Sequence, residues 1–238
     1  MTSLHDLTVK IFADGADRRS MLDLYTRPYI SGLTTNPTLM RKAGIANYRD
    51  FAKGILSVIT NKPVCFEVLS DDFADMERQA LEIAGWADNV YVKIPVTNTR
   101  GESCRATVER LSYRHVKVNV TAIMTLDQVG DVLSALNPAA VSYLSIFAGR
   151  IADTGVDPMP VMAKALDMLK RHPRAEVIWA SARELFNVVQ ADAIGCHVIT
   201  LSNDILGKLP LLGHDLAAYS RETVASLYND GRIAGFLL

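Results

Sequence analysis

Lys93 stands in Val90-Tyr91-Val92-Lys93-Ile94-Pro95-Val96, an apolar run in which a charged amine is out of place. Burying such a group costs on the order of several kcal/mol unless it is paired or put to use. Desolvation favours the neutral amine, which is the form that attacks a carbonyl carbon to make an imine. Imine chemistry also needs groups that move protons, and Asp14 and Glu67 stand late in two further β-rich runs. Asn119, Thr121 and Ser145 lie in two more, and Asn36 directly precedes Pro37. The amides and hydroxyls would orient substrate hydroxyls, and Thr121 would share a proton-carrying water with Glu67. The competing reading of Lys93 is an ion pair with Glu67 or Asp14 that only fills space. For Asn36 it is a helix cap. Arg150 and Arg183 directly follow two neighbouring runs. With the Ser181 hydroxyl and the N-terminus of the next helix they make a seat for phosphate, solvated surface arginines being the alternative.

Eight runs must position these residues: TVKIFAD, ISGLTT, KPVCFEVLS, NVYVKIPV, VKVNVTAIM, AVSYLSIFA, AEVIWASA and CHVITLS. Each is followed by a stretch of helical character. DDFADMERQALEIAGWA has apolar residues at helical spacing behind an acidic start, and TLDQVGDVLSALN opens on a Thr cap. Eight βα units in a chain of 238 residues predict an α/β protein, a single (β/α)8 barrel of the TIM type. Residues 1–238 are expected to form one domain, with a C-terminal helix and tail from about residue 213.

Period-two alternation assigns faces. Val90, Val92, Ile94 and Val96 pack under helices, which turns Tyr91, Lys93 and Pro95 inward. The same rule sends inward Lys10, Phe12 and Asp14; Cys65, Glu67 and Leu69; Asn119 and Thr121; Tyr143, Ser145 and Phe147; and Val177, Trp179 and Ser181. Lys10, Lys62 and Lys117 come early in their strands, away from the C-terminal strand ends where barrels build their sites.

A formal net charge of −1, with 49% hydrophobic and 21% charged residues, gives no general reason to bind nucleic acid or an acidic membrane. Cys65, Cys104 and Cys196 fit no zinc or redox spacing and are expected to be reduced. The five histidines are scattered without paired ligand spacing, so neither metal nor other cofactor is expected. No GxGxxG follows the first strand, and Gly207-Lys208 lacks the earlier glycine of a P-loop. The N-terminus MTSLHDLTVKIF has no leader pattern and no apolar run approaches a membrane span, so the cytoplasm is the expected compartment.

Seven motifs carry a resemblance: Phe12-Ala13-Asp14, Leu33-Thr34-Thr35-Asn36-Pro37, Phe66-Glu67-Val68, Val92-Lys93-Ile94-Pro95-Val96-Thr97, Asn119-Val120-Thr121, Ser145-Ile146-Phe147-Ala148-Gly149-Arg150 and Ser181-Ala182-Arg183. The chain resembles the transaldolase family, in particular its short-chain members, which include fructose-6-phosphate aldolases. The resemblance implies a Schiff base on Lys93, proton transfer by Asp14, and a water held by Glu67 and Thr121. It implies a dihydroxyacetone unit bound by Asn36, Thr35, Asn119, Ser145 and Phe147, and a distal phosphate held by Arg150, Ser181 and Arg183. Glu67 and Phe147 look like transaldolase, since the aldolases typically place Gln and Tyr there. The implied partners are small-molecule sugar phosphates of the pentose phosphate pathway. The implied assembly is a homo-oligomer, a pentamer or decamer built through the C-terminal helix, with which the GFLL ending is compatible. Gly15, where Thr is usual, the segment Asn98-Thr99-Arg100-Gly101-Glu102 and Trp179 depart from the pattern. They leave open the acceptor and the distal group, phosphate or sulfonate. An aldolase releasing dihydroxyacetone and a non-catalytic sugar-phosphate-binding barrel are the alternatives.

Overall fold

The β-branched and aromatic runs form eight strands: β1 (Lys10–Asp14), β2 (Ile30–Thr34), β3 (Val64–Glu67), β4 (Val90–Pro95), β5 (Val118–Ile123), β6 (Ser142–Ile146), β7 (Ala175–Trp179) and β8 (Val198–Ser202). A computed structural model describes residues 4–235, so the last three residues of the GFLL ending lie outside the described residues. All neighbouring strands pair in parallel, and β8 pairs with β1 to close the barrel in strand order one to eight. Helices follow the strands and cover them, as the sequence pattern implied. Thr125 caps the helix Leu126–Ala135 with a reciprocal bond to Gln128, and Asp72 caps Phe73–Ala84. No helix among the described residues is long and apolar enough to cross a membrane.

Two apolar layers result. Val90, Val92, Ile94 and Val96 join the larger one, between strands and helices. The smaller fills the lumen with Phe12, Cys65, Tyr143, Ile178, Ala180 and Val198, against Tyr91 and Phe147. Phe12 meets Tyr143 edge-on at 5.7 Å, and a Cβ on Gly32 would lie 2.5 Å from the Phe12 ring, so only glycine admits it. Below this plug Lys10 pairs with Glu176 at 2.6 Å near the surface. The lumen is therefore closed at its N-terminal end and polar at the other.

Strand seven corrects the alternation. Parallel partners share a face, and the register sets Ser145 beside Ile178 and Ile146 beside Trp179. Ile178 and Ala180 thus point inward, while Val177 and Trp179 pack among the helices. Leu69, also expected inside, lies past the end of β3 and is exposed.

Candidate active site

Register alone brings the polar residues together. Glu67 pairs with Lys93, Lys93 with Asn119, Pro95 with Thr121, and Asp14 with Thr34, so their inward side chains form one layer at the C-terminal strand ends. A cavity of about 410 Å³ opens over that layer. Asp14, Thr34, Asn36, Glu67, Lys93, Thr121, Ser145 and Thr200 line the amine end, and Phe147, Arg150 and Ser181 line the rest. This size suits a small, hydroxyl-rich molecule.

The Lys93 side chain is 8% exposed, and its Nζ lies 3.0 Å from Glu67 Oε2 and donates to the Thr35 carbonyl at 2.9 Å. Burial pushes the amine pKa down, but the fields of Glu67 and Asp14 and the Glu67 bond more than offset it, so the net direction is up. The expectation of a neutral resting amine is therefore corrected: neighbouring carboxylates keep it an ammonium until a proton moves. Burial raises the Asp14 pKa, opposed by Lys93 and by the Thr34 hydroxyl that donates to its Oδ1 at 2.8 Å. The Thr34 oxygen also lies 2.7 Å from that of Thr200.

Ser145 donates to Asn119 Oδ1 at 2.7 Å, and Asn119 Nδ2 reaches Cys65 Sγ at 3.4 Å. That thiol is pushed up to about 11 by burial, and all three cysteines are free and buried. The Thr121 hydroxyl is buried without a protein partner among the described residues. Asn36 caps the helix Pro37–Lys42 through Leu39 N–H at 2.9 Å and still lines the cavity, so both readings of it apply. Thr35 faces away from the cavity: its hydroxyl donates to Cys65 O, and its carbonyl is what reaches Lys93.

At the far end Arg150 is exposed, its guanidinium 5.8 Å from the Phe147 ring centre. Ser181 reaches the cavity because its backbone is left-handed, with φ of 64°, which breaks the strand alternation. A Cβ on Gly149 would fall 1.6 Å from the Ser181 carbonyl oxygen, so that approach requires glycine. Arg183 is not in the cavity wall. It makes two bonds to Asp153, at 2.9 and 2.5 Å. The next helix, Phe186–Ala193, begins farther along, and the Arg183 and Glu184 amides donate to Asn187 Oδ1. The helix-terminal half of the expected phosphate seat is thus occupied from within the chain.

The sequence profile described as Transaldolase/Fructose-6-phosphate aldolase matches residues 11–231, nearly the whole barrel and most of the C-terminal helix. The chain belongs to the transaldolase/fructose-6-phosphate aldolase family. A probable transaldolase of Nitrosopumilus maritimus is 34% identical over 216 residues, covering 90% of this chain and 92% of the relative. One from Dehalococcoides mccartyi is 32% identical, with 89% and 96% covered, and one from Methanococcus maripaludis is 34% identical, with 89% and 95% covered. This family consists of enzymes, and in this member three residues beside the amine escaped the sequence reading: Thr34, Thr200 and Tyr48. Alternation on CHVITLS marks Thr200, whereas Thr34 lies past a register shift that breaks the alternation from Ile30, and Tyr48 lies on a helix and has no periodic signal.

Proposed function

We propose that the chain is a transaldolase that moves a dihydroxyacetone unit from a ketose phosphate, such as fructose 6-phosphate or sedoheptulose 7-phosphate, to an aldose phosphate through an imine on Lys93. The observation that carries this reading is the buried Lys93 amine, between Glu67 and the Thr35 carbonyl at the floor of a polar cavity.

Glu67 is 3.0 Å from the ammonium and accepts its proton, which frees the lone pair to attack the ketose carbonyl. The carbinolamine loses water with a proton supplied from Glu67, through a water shared with Thr121, and leaves a protonated imine. Asp14 then takes the proton of the C4 hydroxyl as the C3–C4 bond breaks. The bonding electrons move into the iminium to give an enamine, and the aldose phosphate departs. An incoming aldehyde is attacked by the enamine, and its new hydroxyl regains the proton from Asp14. Water then releases the product. Such proton transfers contribute roughly 10²–10⁴-fold each. Asn36, Asn119 and Ser145 bind the dihydroxyacetone hydroxyls, while Arg150 and Ser181 receive the distal phosphate, joined by Arg183 when it leaves Asp153. No cofactor enters this sequence.

Borohydride reduction with fructose 6-phosphate should fix a dihydroxyacetone-derived or hexose-derived adduct on the Lys93 peptide. An adduct on another lysine would sink the reading, as would none. Fructose 6-phosphate consumption that does not need erythrose 4-phosphate would assign the chain to the releasing aldolases instead.

The proposal extends to assembly as a homo-oligomer, a pentamer or decamer. The C-terminal helix Leu216–Ala234 buries no residue, and it presents Leu216, Val224, Leu227, Tyr228 and Ile233 to solvent. Light scattering of the full chain tests this.

A further inference from the structure

The β2–β3 ladder breaks beside the reactive amine, and a side chain from a helix fills the break. Thr35 N–H donates to Cys65 O at 3.1 Å. In a ladder continuing in that register, Glu67 N–H would donate to Thr35 O, and Glu67 C=O would accept from the amide of residue 37. Neither partner serves. Residue 37 is Pro37, which has no N–H, and Thr35 O accepts from Lys93 Nζ. The Tyr48 phenol takes both places: it accepts from Glu67 N–H at 2.8 Å and donates to Glu67 C=O at 2.9 Å. Its ring is seated against Trp86 and Phe66, with centres 5.5 and 6.1 Å away. Burial raises the phenol pKa, which keeps the hydroxyl protonated and able to donate.

We infer that Tyr48 is a positioning residue for the Lys93 amine: by satisfying the Glu67 backbone it leaves the Thr35 carbonyl to Lys93 and fixes the carboxylate beside Nζ. The inference rests on the proposed imine chemistry for its consequence in turnover, though the geometry is independent of it. Without the hydroxyl, the Glu67 amide is left half-buried and without its partner, and the acceptor that the ladder register offers it is the Thr35 carbonyl. It then competes with the ammonium for that oxygen, since an unsatisfied buried donor costs about as much as the bond it lost. An ammonium that loses an acceptor gives up its proton more readily.

Two variants separate this role from simple packing. Tyr48→Phe removes the hydroxyl and keeps the ring, while Trp86→Phe trims the stack and keeps the hydroxyl. The first readout is the pH dependence of Lys93 carbamoylation by cyanate, mapped by peptide mass spectrometry, which reports amine ionisation without requiring turnover. The second is the rate of borohydride trapping with fructose 6-phosphate. In Tyr48→Phe the carbamoylation midpoint should move to lower pH. Trapping should nevertheless slow about tenfold, because the Glu67 carboxylate that takes and returns the proton is no longer held beside Nζ, with the half-saturating ketose concentration changed less than about twofold. Trp86→Phe should lower the melting temperature and leave the midpoint at its wild-type value. A wild-type midpoint in Tyr48→Phe overturns the inference, as does an equal shift in both variants. Carbamoylation at Lys93 without any ketose trapping in the wild-type chain would refute the imine reading alone, and the midpoints would still decide the role of Tyr48.

Discussion

At the amine end Lys93, Asp14 and Ser145 in the cavity wall, and Asn119 behind them, are each fixed by hydrogen bonds beneath the surface, while at the far end Arg150 stands exposed in the wall and Arg183, exposed outside it, is already paired with Asp153. The amine end is thus organised before any substrate arrives. The arginine end is completed by what binds. This division suits a reaction whose chemistry is the same for every substrate, with differences confined to the far group. It also says where mutations should alter rate and where they should alter affinity.

The largest effect belongs to the amine itself. Lys93→Met should abolish borohydride trapping and lower turnover at least about 10³-fold, because among the described residues that line the cavity no other carries an amine that can form an imine. Residual trapping, necessarily on a different lysine peptide, would mean that the imine forms elsewhere.

Asp14→Asn comes next, with an expected fall in kcat of roughly 10²–10⁴-fold from loss of the proton acceptor. The same variant should be more stable than the wild type near neutral pH. Burial raises the Asp14 pKa, so the folded state holds that proton more tightly than the unfolded chain does. The contribution is present below the ordinary carboxylate range and lost as pH rises through the raised value. The melting-temperature gain should therefore appear at neutral pH and close in acid. A gain of about 1 kcal/mol corresponds to about 2–4 °C in a chain of this size. A variant less stable than wild type at neutral pH would show that the Lys93 field, not burial, dominates.

Thr34→Val acts on the same carboxylate with a smaller effect. The Thr34 hydroxyl donates to Asp14 and holds its pKa down, so its removal should move the acid limb of kcat to higher pH. At a pH on that limb kcat should fall by up to about tenfold, the scale of one hydrogen bond to the carboxylate. An unmoved limb would mean that Thr34 only fills the lumen between Asp14 and Thr200.

Much of this was legible from residues alone, and the misses have physical causes. Eight β-rich runs with helices between them gave the barrel, and alternation turned Lys93, Glu67, Asn119, Thr121 and Ser145 inward because one strand face must be apolar under helices. Strand seven defeated the rule. Ile178 and Trp179 are apolar on opposite faces and the strand's one polar residue, Glu176, lies at its start, so the register with β6 is what shows that Ile178 enters the lumen and Trp179 the outer layer. Ser181 was selected by an alternation that does not extend to it; its left-handed backbone brings it to the cavity. The charge state of Lys93 needed distances, since desolvation and two carboxylates act in opposite directions. Pro37 announces in the sequence that a ladder bond will be missing, yet nothing there names Tyr48 as the group that replaces it.

The smallest expected effect probes the loose end. Arg183 reaches Asp153 through two bonds, although both side chains are about half exposed and such a pair adds little stability. Any phosphate in the cavity must draw Arg183 off that partner before using it, so Asp153 opposes binding by competing for the guanidinium. Asp153→Asn removes the competing charge and leaves the amine end untouched. The KM for fructose 6-phosphate should fall about two- to fourfold, in keeping with the small worth of a solvent-screened pair. The KM for unphosphorylated fructose should not change, and kcat should stay near wild type. A KM that falls equally for both sugars would place the effect of Asp153 on the cavity's shape, and a KM that rises would make Asp153 a support that holds Arg183 ready for the phosphate.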